Sequence, residues 1–224
     1  KSGNTWMRFF LSNYFYNRKK IESDFQIINK IDKFPPYKLL QRHITEDEIK
    51  NSAYNISKYW SKIQLELTKT NEDYVFLKNH NALVSVEGRG LTDERFSLAF
   101  IYLVRDPRDV IVSLSDHMGL DYEQTFHHMS SSYNCEYPLT GRKGYEKSLM
   151  GTWSDHYNSW KSYNGRKIMI VKYEDLVSKT YKTFSNIIKY LEDINIITFD
   201  EEKIKFSIEE TSFANLRKLE EKNG

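Results

Sequence analysis

The chain has little cysteine and proline and no long apolar run. Its single cysteine, Cys135, excludes an internal disulfide and argues against a Cys-based zinc site. No stretch approaches the ~20 apolar residues that span a bilayer, so we expect no membrane segment. With 33 basic and 31 acidic residues, the net charge of +2 argues against a protein that coats nucleic acid. We therefore expect a cytoplasmic protein without a nucleic-acid partner.

Aromatic side chains are abundant instead. The 224 residues include 16 Tyr, 13 Phe and 4 Trp, which predicts an aromatic core and clefts able to stack flat ligands. The length suits one sizeable α/β domain. Because Lys1 lies inside a motif, we expect that a strand or an anchor preceding it is missing from this chain.

A strand, a tight turn and a helix follow one another within residues 97–119. Residues 98–104 form an apolar run typical of a strand that is buried on both faces. Pro107 suits a first helical turn, and Asp106 or Asp109 can cap it. Arg105 then lies beside a helix N-terminus, where guanidinium and free N–H groups can bind an anion. The alternative interpretation is a junction with surface ion pairs.

Strands alternate with helices along the rest of the chain. Further strands are predicted at 74–77 and 168–171, and helices at 7–16, 45–70, 122–128, 149–163, 180–191, 201–208 and 213–222. This order predicts the α/β class, with a mainly parallel sheet flanked by helices. Ligands of such sheets bind at the carboxyl ends of the strands. Polar clusters fall at these ends (78–80, 105–113 and 172–175), and residues 130–145 are predicted to be a mobile loop.

The turn at residues 1–6 can present backbone N–H groups to a phosphate, with Lys1 as a nearby cation. It lacks the G-x-x-x-x-G-K-[ST] pattern of nucleotide triphosphatases. No clear acidic partner for a magnesium ion accompanies it.

Four motifs stand in an informative order: KSGNTW (1–6), RDPRDVIVS (105–113), KYEDL (172–176) and TSF (211–213). With them, the chain resembles the cytosolic-type sulfotransferases that use 3′-phosphoadenosine 5′-phosphosulfate (PAPS). Residues 151–153 with Trp160, and residues 78–80, are similar to two further family segments. The resemblance implies one sulfotransferase domain over 1–224 with a P-loop-like nucleotide-binding architecture, which lacks the strand before Lys1 and a C-terminal basic segment.

The resemblance also implies roles for individual residues. PAPS as donor and 3′-phosphoadenosine 5′-phosphate (PAP) as product are expected to contact Lys1, Ser2, Gly3, Asn4, Thr5, Trp6, Arg105, Ser113, Tyr173, Thr211, Ser212 and Phe213. Among these, the match assigns Arg105 and Ser113 to the 3′-phosphate. The acceptor is expected beside Lys78, Asn79 and His80. No metal is implied.

Catalysis is expected to use two of these side chains. By the resemblance, Lys1 stabilises the sulfuryl group and the leaving phosphate, and His80 takes the proton of a small-molecule acceptor. Glu87 is the alternative base. The other histidines considered, at 117, 127, 128 and 156, are interpreted as surface or packing residues.

Two other functions stay open at this point. One is a nucleotide-binding protein of the same fold that has lost transfer. The other is a P-loop kinase for a small metabolite, which the absent GK[ST] sequence disfavours. The acceptor and the oligomeric state are not determined by the sequence.

Overall fold

The computed structural model describes residues 2–17, 24–51, 53–70, 72–132, 135–136 and 148–223. Lys1 and most of the predicted mobile loop at 130–145 lie outside these residues. In the described ranges, no helix is both long enough and apolar enough to cross a membrane.

Helices dominate the described residues. They are α1 Asn4–Tyr16, α2 Tyr37–Leu40, α3 Glu46–Asn51, α4 Ala53–Ser57, α5 Trp60–Leu67, α6 Pro107–Met118, α7 Tyr122–Ser130, α8 Trp153–Lys161, α9 Tyr173–Ser178, α10 Thr180–Glu192, α11 Glu201–Glu210 and α12 Phe213–Asn223, with a 3₁₀ helix at Phe25–Lys30. The strands are β1 Asp32–Lys33, β2 Leu77–Lys78, β3 Ser85–Val86, β4 Arg89–Gly90, β5 Ala99–Val104, β6 Cys135–Glu136, β7 Ser148–Leu149 and β8 Lys167–Lys172.

The pairing of β5 with β8 confirms the two long strands predicted from the sequence. A helix follows each of them, α6 after β5 and α9 after β8, and the predicted α/β class is confirmed. Two short antiparallel pairs accompany them, β3 with β4 and β6 with β7. The chain divides into two compact units, and each is described separately below.

The first unit comprises Lys33–Tyr102 and Asp106–Ile168. Its core includes Trp60 and Ile63 of α5 and Trp160 of α8, which are buried together with Leu91 and with apolar residues from 34–56. The apolar positions of α5 recur every three or four residues, so one face of the helix packs inward. Because Trp160 is buried in this core, α8 is held next to the segment that follows β2.

The helix predicted over 45–70 begins where it was expected, but it is not continuous. Thr45 and Glu48 form a capping box at its start, with the Thr45 N–H donating to Glu48 Oε2 at 3.0 Å. The helix then breaks before α5, where the N–H groups of Lys58 and Tyr59 bond carbonyls only three residues earlier. Such tighter turns end an α-helix.

The turn from β5 into α6 matches its prediction. Pro107 occupies the first helical turn, and the Asp106 carboxylate accepts from the Arg108 N–H at 2.9 Å. Arg108 also donates its guanidinium N–H groups to the same carboxylate, so this arginine is an exposed partner of the cap. Asp106 is therefore a capping residue, as expected.

The second unit comprises Ser2–Asp32, Leu103–Arg105 and Met169–Gly224. Its core joins α1 and α10 through stacked aromatic rings, with Phe10 and Phe184 3.9 Å apart between centroids, and α11 packs against both helices. Arg8 on α1 donates to the carbonyls of Ile28 and Ile31 at 3.0 and 2.6 Å, which ties the 3₁₀ helix to α1. These contacts hold the start of α1 in place.

Candidate nucleotide site and acceptor segment

Gly3, Arg105 and Tyr173 meet in the second unit. Gly3 precedes α1 with φ of 84°, a left-handed conformation that favours glycine. A methyl group built on its Cα would lie 2.7 Å from Cδ2 of Tyr173, so a side chain there would collide with the ring. The Arg105 guanidinium carbon lies 4.5 Å from the centroid of the same ring, a cation–π contact. Gly3 and Arg105, from two of the motifs predicted to bind the nucleotide, therefore both lie against the ring of Tyr173 from a third motif.

The start of α1 has the properties of an anion site. Its first turn carries no acidic residue, and the first N–H groups of a helix have no partner within the helix. Asn4 Oδ1 and Trp6 Nε1 are buried and meet no hydrogen-bond partner among the described residues. The Trp6 ring is held edge-on against Phe184, 5.5 Å between centroids. A nucleotide with phosphate and base polar groups fits these unsatisfied atoms, because it supplies both donors and acceptors.

The TSF segment connects α11 to α12. Thr211 is fully buried, and its hydroxyl donates to the Ser207 carbonyl at 2.7 Å. Ser212 Oγ accepts from the Asn215 N–H at 3.4 Å near the start of α12. Phe213 is 82% exposed, a large apolar area to leave in water. Contact between these residues and a base stays a prediction, and Phe213 has the most exposed side chain of the three.

Ser113 lies in the first unit, on α6, where its hydroxyl donates to the Val110 carbonyl at 3.4 Å. Arg105 belongs to the second unit. Their shared binding of a 3′-phosphate therefore stays a prediction, as does the contact of Lys1, which lies outside the described residues.

The segment carrying His80 is held by amide side chains. Asn79 Oδ1 accepts from both the backbone N–H and the side-chain amide of Asn81, at 3.1 and 2.7 Å. Asn81 is 4% exposed, and its Oδ1 accepts from the Leu149 N–H at 2.6 Å. The Lys78 carbonyl accepts from the Phe34 N–H. In the described structure Asn79 therefore shapes the turn, and Asn81 ties it to β7.

His156 contacts this segment, although the sequence identified it only as a surface or packing residue. Its Nε2 lies 3.1 Å from the His80 carbonyl oxygen, and its Nδ1 lies 3.0 Å from the Tyr102 hydroxyl. Burial lowers the pKa of His156 and raises the pKa of Tyr102, so both side chains are neutral near pH 7. His80 and His156 are separated by 76 residues, and no local pattern could reveal their contact.

Glu87, the alternative base, lies in the turn between β3 and β4. Its carboxylate is 2.8 Å from Arg89, and the two side chains are 57% and 35% exposed. Hydrogen bonds from Tyr54 and Arg89 lower the pKa of this carboxyl group. A lowered pKa makes a carboxylate a weaker base, which counts against Glu87 in proton removal.

Among the described residues, no three His, Cys, Asp or Glu side chains are grouped so that they could hold a metal ion.

The chain matches one protein family over its whole length. The family is described as "Sulfotransferase domain", and the match covers residues 1–224. No curated protein sequence matches the chain.

Among the solved structures that are similar to the chain are two complexes with PAP. One is retinol dehydratase in complex with androsterone and the inactive cofactor PAP, at 17% identity and a TM-score of 0.55, with 98% of this chain covered. The chain spans 64% of that protein's length. The other is mouse sulfotransferase SULT7A1 complexed with PAP, at 16% identity and a TM-score of 0.48, covering 94% of this chain and 69% of that one.

Proposed function

The chain belongs to the sulfotransferase domain family, and we propose that it transfers a sulfuryl group from PAPS to a hydroxyl or amine of a small-molecule acceptor. The observation that carries the proposal is the convergence of Gly3, Arg105 and Tyr173. These residues come from three motifs of the predicted nucleotide site.

The nucleotide is held by the second unit in this proposal. Residues 2–6 present N–H groups at the start of α1 to the 5′-phosphosulfate, and Arg105 donates to the 3′-phosphate. Tyr173 holds the Arg105 guanidinium in place through the 4.5 Å contact between guanidinium and ring. The adenine lies against Trp6 and Tyr173, and Phe213 covers it, which would bury the large apolar area that Phe213 now exposes.

The reaction is an in-line displacement at sulfur. A bond from sulfur to the acceptor oxygen or nitrogen forms while the bond to the 5′-phosphate oxygen breaks. His80 takes the acceptor's proton, since a neutral imidazole near pH 7 is suited to this step. Lys1 offsets the negative charge that grows on the departing phosphate, and Ser113 adds a hydrogen bond to the 3′-phosphate.

The acceptor is a small molecule that lies beside Lys78, Asn79 and His80. The retinol dehydratase structure holds androsterone as well as PAP. We propose a comparable class, a small organic molecule with a nucleophilic hydroxyl or amine.

Arg105→Ala and His80→Ala separate nucleotide binding from transfer. We expect Arg105→Ala to weaken PAP binding at least about 100-fold, since two charge-assisted hydrogen bonds are lost. His80→Ala should keep PAP affinity within about threefold while turnover with labelled PAPS falls at least about 100-fold, at the lower end of what a general base contributes. Calorimetry measures the affinity for PAP. Turnover is measured with labelled PAPS and a panel of phenol, alcohol and amine acceptors.

Arg108→Ala is the matched control, because Arg108 is an exposed arginine three residues away that bonds only Asp106 among its described contacts. It should leave PAP affinity within about twofold of the wild type. Unchanged affinity in Arg105→Ala would refute the nucleotide site. PAP binding without turnover on any acceptor would favour a nucleotide-binding protein that has lost transfer.

A further inference from the structure

One face of α8 bonds the backbone of the His80 segment at three successive points. His156 Nε2 meets the His80 carbonyl at 3.1 Å, and Trp160 Nε1 donates to the Asn81 carbonyl at 3.1 Å. Ser159 Oγ accepts from the Leu83 N–H at 3.0 Å. Residues 156, 159 and 160 lie on one side of a helix because they are spaced by three and four positions. All of these residues belong to the first unit.

The carbonyl of His80 determines the tautomer of His156. A carbonyl oxygen only accepts, so Nε2 carries the proton and donates to it. In the neutral ring Nδ1 then accepts, and the Tyr102 hydroxyl donates to it at 3.0 Å. The Tyr102 ring is also stacked on His156 and on Trp160, with centroids 5.7 and 6.0 Å apart. The imidazole is therefore held by two hydrogen bonds and by a stacked ring.

The His156 contact is distinct from the contacts that hold the rest of the segment. Asn81 is fixed by Asn79, Leu149 and Trp160. If His156 is shortened, these bonds persist and the segment stays folded. What is lost is the bond to the carbonyl of the His80 peptide plane, whose other side, the Asn81 N–H, keeps its bond to Asn79 Oδ1.

We propose that His156, oriented by Tyr102, is a positioning residue that holds the backbone of His80 so that the His80 ring meets the acceptor. This inference rests on the proposed role of His80 as the base. A general base must come within hydrogen-bond reach of the proton that it removes, and a displacement of about 1 Å can cost roughly 100-fold in rate. The peptide plane at His80 sets the direction in which its side chain leaves the backbone.

Two substitutions at His156 separate its two hydrogen bonds. His156→Gln places an amide N–H where Nε2 lies, so it can still donate to the His80 carbonyl. His156→Asn is one bond shorter and reaches only the position of Nδ1. We expect His156→Asn to lower kcat about tenfold, the factor for one lost hydrogen bond, with KM for PAPS unchanged. His156→Gln should restore kcat to within about threefold of the wild type, and Tyr102→Phe should give an intermediate loss.

Ser159→Ala is the matched comparison for a structural role, because it removes a bond from the same helix face to Leu83 rather than to His80. We expect it to lower kcat by less than about twofold. Equal losses of kcat in Ser159→Ala and His156→Asn would mean that His156 only supports the fold, and would overturn the proposal.

A double-mutant cycle distinguishes two outcomes: that the positioning role of His156 is wrong, and that the proposed function itself is wrong. If His156 acts through His80, adding His156→Asn to His80→Ala should cause no further loss of turnover. Full turnover in His80→Ala alone would remove His80 as the base. If His80→Ala is inactive and His156→Asn keeps wild-type kcat, the base stands and the positioning role is refuted. Amide hydrogen exchange at Asn81 provides a readout without activity, and it should accelerate in His156→Asn and not in His156→Gln.

Discussion

At the residue scale, His156 makes the stability of the protein depend on pH. Burial holds the pKa of His156 below its ordinary 6.5, so the unfolded chain binds this proton more readily than the folded chain does. The resulting stability is fully present above about pH 6.5 and is lost as the pH falls through the folded-state pKa. We expect the urea midpoint of the wild type to fall more steeply between pH 7 and 5 than that of His156→Gln.

Comparing the wild type with His156→Gln cancels the contribution of the other histidines to the pH dependence of stability. Burial also lowers the pKa of His128, but that residue is unchanged in the variant, so its contribution is the same in both proteins. Parallel pH profiles for the two proteins would show that His156 titrates alike in the folded and unfolded states, contrary to its burial.

Residues whose partners are close in sequence could be predicted, and residues whose partners are distant could not. Asp106 could be predicted as a cap because its partner, the N–H of Arg108, lies two positions away. The role of Asn81 could not be predicted, because its side-chain carbonyl oxygen accepts from the N–H of Leu149, which lies 68 residues away. The role of His156 required the fold for the same reason.

At the scale of elements, the entry into α1 depends on Gly3. In Gly3→Ala the left-handed backbone costs about 1–2 kcal/mol, and the new methyl group must also displace the Tyr173 ring. Because Tyr173 holds Arg105, we expect PAP affinity to fall at least about tenfold along with the free energy of unfolding. Calorimetry with PAP and urea unfolding measure the two changes.

Gly119→Ala is the control for this substitution. Gly119 ends α6 with φ of 67°, and a methyl group built there meets nothing within 4 Å. Gly119→Ala therefore has the same unfavourable left-handed backbone without the collision, and it should leave PAP affinity unchanged. Equal loss of PAP affinity in Gly3→Ala and Gly119→Ala would contradict the contact between Gly3 and Tyr173.

Element prediction was most accurate where an apolar pattern was long. The strands at 98–104 and 168–171 and the helix at 180–191 correspond closely to β5, β8 and α10. The strand predicted at 74–77 was largely misplaced, since only Leu77–Lys78 pair. The predicted helix at 149–163 begins later, at Trp153, because Ser148–Leu149 pair with β6. Short strands depend on their pairing partners, and a single sequence does not show the partner.

At the scale of the whole molecule, the fold class predicted from the sequence is confirmed, and the two compact units are a feature that only the structure shows. The order of strands and helices is a local property, whereas the units depend on which distant residues pack together. The convergence of Gly3, Arg105 and Tyr173 likewise joins residues that are up to 170 positions apart and comes only from the folded second unit.

A ligand that binds only the folded chain raises its thermal stability, which makes the melting temperature a test between PAP and a nucleoside triphosphate. At 100 times its Kd, PAP should stabilise the fold by about 2.7 kcal/mol. For a chain of this size the melting temperature should then rise by roughly 5–11 °C. Arg105→Ala should lose most of this rise and Arg108→Ala should keep it. Magnesium–ATP lacks the 3′-phosphate assigned to Arg105, so it should shift the melting temperature far less at the same concentration. A larger shift with magnesium–ATP than with PAP would instead favour a kinase and would remove Arg105 from 3′-phosphate recognition.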